Sequence, residues 1–306
     1  MNYNDKTFPL KFGELMMKVN SKGIFRVLLV FCFPLLSLVT YDAHAASLEE
    51  IKARGVIRIA VANEIPYGYI DIDGQAKGAG PDVAKVLVEQ LGIERIEWVG
   101  TAFSSLIPGL KANRFDMVAA EMAILPQRCQ EVLFSNPNSS YGEGLLVKKG
   151  NPKKLHSYED IVAKRGVKVA IMAGADQLEM FQKLGLPENR IVTIASNADA
   201  ISTVATGRAD AYAATSLTVA NLAAKSKAVE RVKAFKDPVI DGKPVRSWGG
   251  FVFAKGNEDL RDAINEQLAR FKQTEAWRGI LLGYGFGEND LDHSFDHTAE
   301  ELCAAP

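Results

Sequence analysis

Residues 56–92, VIRIAVANEIPYGYIDIDGQAKGAGPDVAKVLVEQLG, decide the fold class. Val56 to Ala62 alternates as a half-buried strand. Pro81-Asp82 then opens an amphipathic helix in which Val83, Val86, Leu87 and Leu91 recur at helical spacing, and Gly92 stops it. Strand followed by helix is one βα unit. A chain that repeats such units builds open sheets with helices packed on their faces.

The repetition continues outward from this stretch. Ile96 to Val99 reads as a strand, Leu106 to Ala112 as a short helix entered through Ser104-Ser105, and Met117 to Ala120 as a third strand. Phe134-Ser135-Asn136-Pro137 and Gly142-Glu143-Gly144 punctuate the chain before a strand at Leu145 to Lys148. The alternation then restarts. A capping box at Ser157 to Asp160 precedes a strand at Val167 to Met172, a helix at Gln177 to Leu184 and a strand at Ile191 to Ile194. Ala198 to Thr206 and Leu217 to Ala224 read as helices, and Ala209 to Ala214 and Arg231 to Phe235 as strands. After the turn signal Asp241-Gly242-Lys243-Pro244 comes the strand Phe251 to Ala254. Leu260, Ile264, Leu268 and Phe271 form one helical stripe, and Trp277, Ile280 and Leu281 another. Two α/β runs without a long linker predict two doubly wound lobes with a ligand between them, beyond the carboxyl ends of the strands.

The N-terminus carries an export signal by pattern. The apolar run Ile24 to Val39 follows Lys18 and Lys22 and precedes Ala43-His44-Ala45, so charged, apolar and small-residue parts stand in order. We expect residues 1–45 to be a signal peptide cleaved after Ala45, with translation starting at Met16 or Met17. Cys32 lies inside the run, followed by Phe-Pro-Leu-Leu, which does not suit a lipobox. The mature chain then has 261 residues, with 31 basic and 34 acidic side chains (36 − 5 and 37 − 3).

That near balance of charge excludes a nucleic-acid binder by bulk electrostatics. No C-x-x-C, H-E-x-x-H, G-x-S-x-G, Walker A or G-x-G-x-x-G pattern is present. In an oxidising compartment Cys129 and Cys303 are either one disulfide closing a very long loop or two buried thiols. His293 and His297, at i and i+4 beside Asp292 and Asp296, imitate a metal site. In a polar tail we read them as surface residues, and no metal or cofactor is expected.

The ordered segments IRIAVANEIPYGYIDIDGQAKGAGPDVAKVL (57–87), FSSLIPGLKANRFDMVAA (103–120), MAILPQRCQEVLFSNPNSSYGEGLLVKKGNP (122–152) and GFVFAKGNEDLRDAINEQL (250–268) resemble the periplasmic solute-binding proteins of polar amino-acid ABC importers. Within that group, ANEIPY, PQRCQEV and DGKPVRSWGGFVF are most similar to the ectoine and hydroxyectoine binders. The resemblance implies a type II periplasmic-binding-protein fold whose chain crosses twice between lobes and whose ligand cleft lies between them. Lobe I would comprise 46–138 plus 238–306, and lobe II 143–233.

It also implies a site. Arg128 matches the arginine that receives the ligand carboxylate, a role for which its planar fork is suited. Glu121 stands where glycine is usual, and Ala123 and Leu125 replace hydroxyl residues. Thr215 occupies the place of an aspartate that pairs with an α-ammonium, so the cation should be delocalised or differently placed. Glu64 would face that cation, with Tyr67 and Phe103 presenting π faces worth roughly 0.5 to 2 kcal/mol each. A third cage aromatic is replaced by Ala123, and Tyr69 reads as core. The backbone N–H groups of Gly174, Ala175 and Asp176 would receive the carboxylate from lobe II, although Asp176 could instead cap its helix and Thr215 could simply start one.

The function implied is capture of a small zwitterion by a periplasmic monomer and its delivery to an ABC-transporter permease. The alternatives are a polar amino-acid or opine binder and a dehydratase of the cyclohexadienyl type using Glu121 or Glu143 as general acid. Intact-mass analysis of the exported protein should give a chain beginning near Ala46; a retained, membrane-bound N-terminus would overturn the export reading.

Overall fold

The computed structural model describes residues 46–304; the leader expected over 1–45 lies outside them. The alternation of strand and helix closes two five-membered strand paths, one per lobe of a two-lobed α/β fold. The first runs Arg95–Gly100, Val56–Val61, Met117–Ala123, Ser247–Ala254, Val132–Phe134, with Ser139–Tyr141 also paired to Ser247–Ala254. The second runs Ile191–Ile194, Val169–Met172, Ala211–Thr215, Glu143–Lys148, Val229–Arg231.

Each path has the same logic. Three strands are mutually parallel, as βα units dictate, and the fourth is antiparallel to both its neighbours. That fourth strand is, in both sheets, the one that follows a crossing from the other lobe. The first crossing passes through Gly142, between Ser139–Tyr141 and Glu143–Lys148. The second occupies residues 232–246 and holds a small hairpin, Val239–Ile240 with Lys243–Pro244, turned on Asp241 and Gly242 at φ of 52° and 77°. The crossings touch: Glu143 N donates to Asp237 Oδ1 at 3.1 Å.

Successive strand residues point to opposite faces, and here both faces are covered. In the first sheet Ile57, Ile59, Met117, Phe251 and Phe253 pack under the helices Ala79–Gln90, Glu258–Phe271 and Glu275–Gly283. Ala60, Val118, Ala120 and Val252 pack on the other face with Leu106 and Leu110. Both C-terminal stripes are where the spacing placed them: Leu260, Ile264, Leu268, Trp277 and Leu281 are buried. The strand at Val56 is therefore covered on both faces along its second half, not half-buried. Its polar interruption, Arg58, is resolved at the buried carboxylate of Asp116, which accepts from Arg58 N and Nη2 at 2.8 Å each.

Other readings are corrected locally. The helix expected from Pro81 starts at Ala79. The strand expected over Arg231 to Phe235 is Val229–Arg231, because pairing with Glu143–Lys148 sets its register and Val232 already belongs to the crossing. The capping box at Ser157 is half formed: Ser157 Oγ accepts from Asp160 N, but the Asp160 carboxylate takes the N–H of His156. Cys129 and Cys303 are joined as a disulfide. His293 pairs with Asp296, and among the described residues no cluster suited to a metal ion occurs.

Gly249 shows how closely the fourth strand of the first sheet is inserted. A Cβ there would lie 2.8 Å from Glu121 O and 2.9 Å from Ser139 Oγ. Gly249→Ala should therefore destabilise by about 1–3 kcal/mol through overpacking. Calorimetry should show a lower Tm, and an unchanged Tm would mean the strands yield freely.

Candidate functional site

In both sheets the parallel strands end, and the antiparallel strand begins, at one edge. Thr215 is opposite Glu143 and Ala123 opposite Gly249. The two edges face each other, so residues following the strands converge. From the first lobe come Glu64 after Val56–Val61, Phe103 in the turn after Arg95–Gly100, Glu121 and Ala123 at the end of Met117–Ala123, and Arg128 on the short helix Pro126–Glu131. From the second come the 173–176 loop after Val169–Met172 and Thr215 at the start of helix Ser216–Lys225.

These residues, with Tyr67, line a small cavity of about 20 Å³. Gly174 does not line it, but its carbonyl accepts from Arg128 Nη2 at 2.9 Å. Arg128 Nη1 donates to Ala123 O at 2.9 Å, and the guanidinium lies 5.7 Å from the Phe103 ring centre. The side chain is thus held in plane by two carbonyls of opposite lobes with an aromatic face beside it. Three further bonds span the lobes: Thr218 Oγ1 to Glu64 Oε1 and Ser247 Oγ to Asp176 Oδ2, both 3.2 Å, and Gln127 Nε2 to the carboxylate of Glu179.

The expected 173–176 anion loop differs in detail. Ala173 and Ala175 already give their N–H groups to Ile194 O and Met172 O. What this loop offers Arg128 is a carbonyl, made reachable by Gly174 at φ 84°. Asp176 does not cap its helix; its carboxylate faces Ser247. Thr215 lines the cavity, and its Oγ1 accepts from Thr218 N at the start of its helix.

Glu121 has φ 48°, the left-handed backbone for which glycine is favoured, which explains why glycine suits this position. Its carboxylate accepts from Asn138 Nδ2 at 2.6 Å and from Ser139 Oγ. It braces the strand that leads into the first crossing. Tyr67, rather than Tyr69, is core: its ring lies 5.1 Å from that of Tyr141 and 5.8 Å from that of Phe286. Tyr69 is half-buried on a separate groove. Sequence reasoning missed Tyr141 and Tyr212, which also line the cavity. Both sit in strands with small or apolar neighbours; Tyr141 ends its strand at the cavity side, whereas Tyr212 is the second residue of Ala211–Thr215 and gave no such signal.

Burial dominates the electrostatics. It pushes the carboxyls of Glu64 and Glu121 up to about 7, against the hydrogen bonds they accept. Glu143 is raised by burial and then by the neighbouring charge of Asp176, while Tyr158 at 3.0 Å and Gln177 at 2.7 Å donate to it. Lys272 is pulled down to about 7 by burial, with Glu121 opposing.

With this geometry in place, the chain can be set beside known proteins. The model of the bacterial extracellular solute-binding proteins, family 3, matches residues 57–288. The probable amino-acid ABC transporter periplasmic-binding protein y4tE of Sinorhizobium fredii (strain NBRC 101917 / NGR234) is 59% identical over 264 residues, covering 86% of this chain and 87% of that protein. The crystal structure of EhuB in complex with hydroxyectoine superposes with a TM-score of 0.75 at 32% identity, covering 85% of this chain and 98% of that one. The ancestral amino acid-binding protein AncCDT-1, a precursor of cyclohexadienyl dehydratase, gives 0.67 at 32% identity, with 78% and 98% coverage. The fold is thereby the two-lobed periplasmic-binding-protein fold.

The buried carboxyls set a pH dependence. Their folded pKa values exceed the unfolded ones, so the folded state holds more protons between about 4.5 and 7 and stability falls as pH rises through that window. Lys272 acts in the opposite sense, and only above about 7. Glu121→Gln, which preserves an acceptor for Asn138, should flatten the decline of Tm between pH 5 and 7, by up to about 1.4 kcal/mol per pH unit. An unaltered slope in thermal melts would remove Glu121 from this account.

Proposed function

We propose, for a chain that belongs to the bacterial extracellular solute-binding proteins, family 3, that its interlobe cavity captures a zwitterion of the ectoine and hydroxyectoine kind in the periplasm and hands it to an ABC-importer permease. The observation that carries this reading is the grouping, around one interlobe cavity, of a single guanidinium with three buried carboxyls, Glu64, Glu121 and Asp176, and four aromatic rings. Arg128 is the receptor for the ligand carboxylate. Glu64 and the faces of Phe103 and the tyrosines are the receptor for a delocalised cation.

Three features support a cyclic amidinium over a primary ammonium. Thr215 supplies no charge where an aspartate would concentrate it. The Glu64 carboxyl is burdened by desolvation, and a diffuse cation, itself weakly hydrated, loses less on entering such a place. The likeness to the hydroxyectoine complex of EhuB extends over 85% of the chain. The relatives reported above are binding proteins by name, which accords with transport rather than catalysis. The mature chain would act as a monomer, each copy presenting one cavity.

Thermal-shift measurements on ligand-stripped protein should show ectoine or hydroxyectoine raising Tm more than glutamine, arginine or histidine at equal concentration. Stabilisation by a common amino acid with no response to ectoine would replace this ligand class by an amino-acid one. Arg128→Ala should weaken binding roughly 30- to several-thousand-fold, since a buried charge loses its partner. Cation capture also has a pH signature: Glu64 must give up its proton to pair, so affinity should rise toward pH 8 by up to about tenfold per unit below pH 7. Glu64→Gln should bind weakly with a flat profile, and titration calorimetry from pH 5 to 8 checks both.

A further inference from the structure

The helix that carries Arg128 is only six residues long, Pro126–Glu131, and Arg128 is its one buried residue. The ends of this short helix are bonded from Cys129 N to Leu125 O and from Val132 N to Arg128 O, and six residues leave room for few bonds between them. Its rotation about its own axis is therefore set from outside. Three successive residues receive that outside support. Gln127 meets Glu179 of the second lobe, Arg128 reaches Gly174, and Cys129 is bonded to Cys303.

The partner of Cys129 belongs to the terminal helix Ala299–Ala304, which has no fully buried residue. Ala299, Leu302 and Cys303 rest partly buried against the same apolar cluster as Cys129, and Ala299 N donates to Asn136 Oδ1 at 3.0 Å. Apart from the disulfide, then, this helix has a small apolar footing and its bond to Asn136, while the preceding His297 packs its ring against Trp248. Lys255 Nζ donates to Cys129 O at 2.7 Å and Lys111 pairs with Glu131, which adds further outer restraints on the short helix.

We infer that the Cys129–Cys303 disulfide is a positioning element for the Arg128 guanidinium, so that capture of solute depends on the oxidation state of this pair. In an α-helix each residue turns by about 100°, so a covalent tether at Cys129 fixes the direction in which Arg128 points. With the tether intact, the guanidinium is held ready between Ala123 O and Gly174 O. With it reduced to two thiols, the tail separates and the helix gains rotational freedom, which must be removed again on binding. The bond closes a separation of 174 residues, so its loss also lowers global stability. That effect alone would be the structural role, and it is distinguishable.

The inference rests on the reading of Arg128 as carboxylate receptor for its binding arm only. The experiment compares the oxidised mature chain with the same chain reduced by dithiothreitol and with the Cys129→Ser/Cys303→Ser double variant, all well below their melting temperatures. Hydrogen exchange without added solute should show amide protection over 127–131 falling by about tenfold or more while the strand 169–172 is unchanged. Loss confined to 299–304 overturns the inference, since the tether would then hold only the tail. Titration with hydroxyectoine should give about tenfold weaker binding to both thiol forms. Equal affinity in oxidised and thiol forms overturns it as well. Should the oxidised chain not bind hydroxyectoine, the ligand reading fails and the exchange at 127–131 decides the positioning role by itself.

Discussion

An antiparallel strand set into a parallel sheet begins at the edge where its neighbours end. That single constraint organises the molecule. Each crossing between lobes delivers the chain to the fourth place of a sheet, as Glu143–Lys148 in one lobe and Ser247–Ala254 in the other. The crossings and the carboxyl ends of the parallel strands consequently share an edge in both lobes. The cavity residues lie there because the loops between strand and helix can lie nowhere else on that side. Gly249 against Glu121, and Glu143 against Thr215, are the places where the constraint is felt atom by atom.

Burial then gives these loops their chemistry. Three carboxyls, Glu64, Glu121 and Glu143, are almost removed from water, and each accepts at least one hydrogen bond from a side chain. Their proton affinity is raised because the interior disfavours charge more than those donors favour it. A cavity of this kind is reluctant to be anionic by itself and becomes so in the presence of a compensating cation. Arg128, by contrast, is bonded to two carbonyls and keeps N–H groups beyond those two bonds for an anion.

Much of this was legible in the sequence, for reasons that can be named. Helical stripes such as Leu260, Ile264 and Leu268 are repeated constraints, so their signal survives local exceptions. Arg128, Glu64, Phe103 and Thr215 follow strand ends, where topology converts sequence position into place. What was not legible depended on pairing across long separations. The register of Val229–Arg231 is fixed by a strand some 80 residues earlier. Asp160 chose the N–H of His156 over that of Ser157, a choice between neighbours that composition does not encode. Tyr141 and Tyr212 look like ordinary strand residues until two sheets are brought edge to edge. The pairing of Cys129 with Cys303 stayed open for the same reason, since cysteine spacing alone does not say which side chains meet.

The contact between the two crossings has a mechanical consequence. Glu143 N bonded to Asp237 Oδ1 fastens one connection to the other, and the side chain of Asp237 also lies where a Cβ on Gly142 would meet it at 3.2 Å. Two straps clamped at one point act as a single pivot rather than as two independent hinges. Such a shared pivot opposes sliding of one lobe along the other and favours rotation about one axis. Any pair of reporters placed across the cleft should then trace the same opening curve, differing only by their distance from the axis.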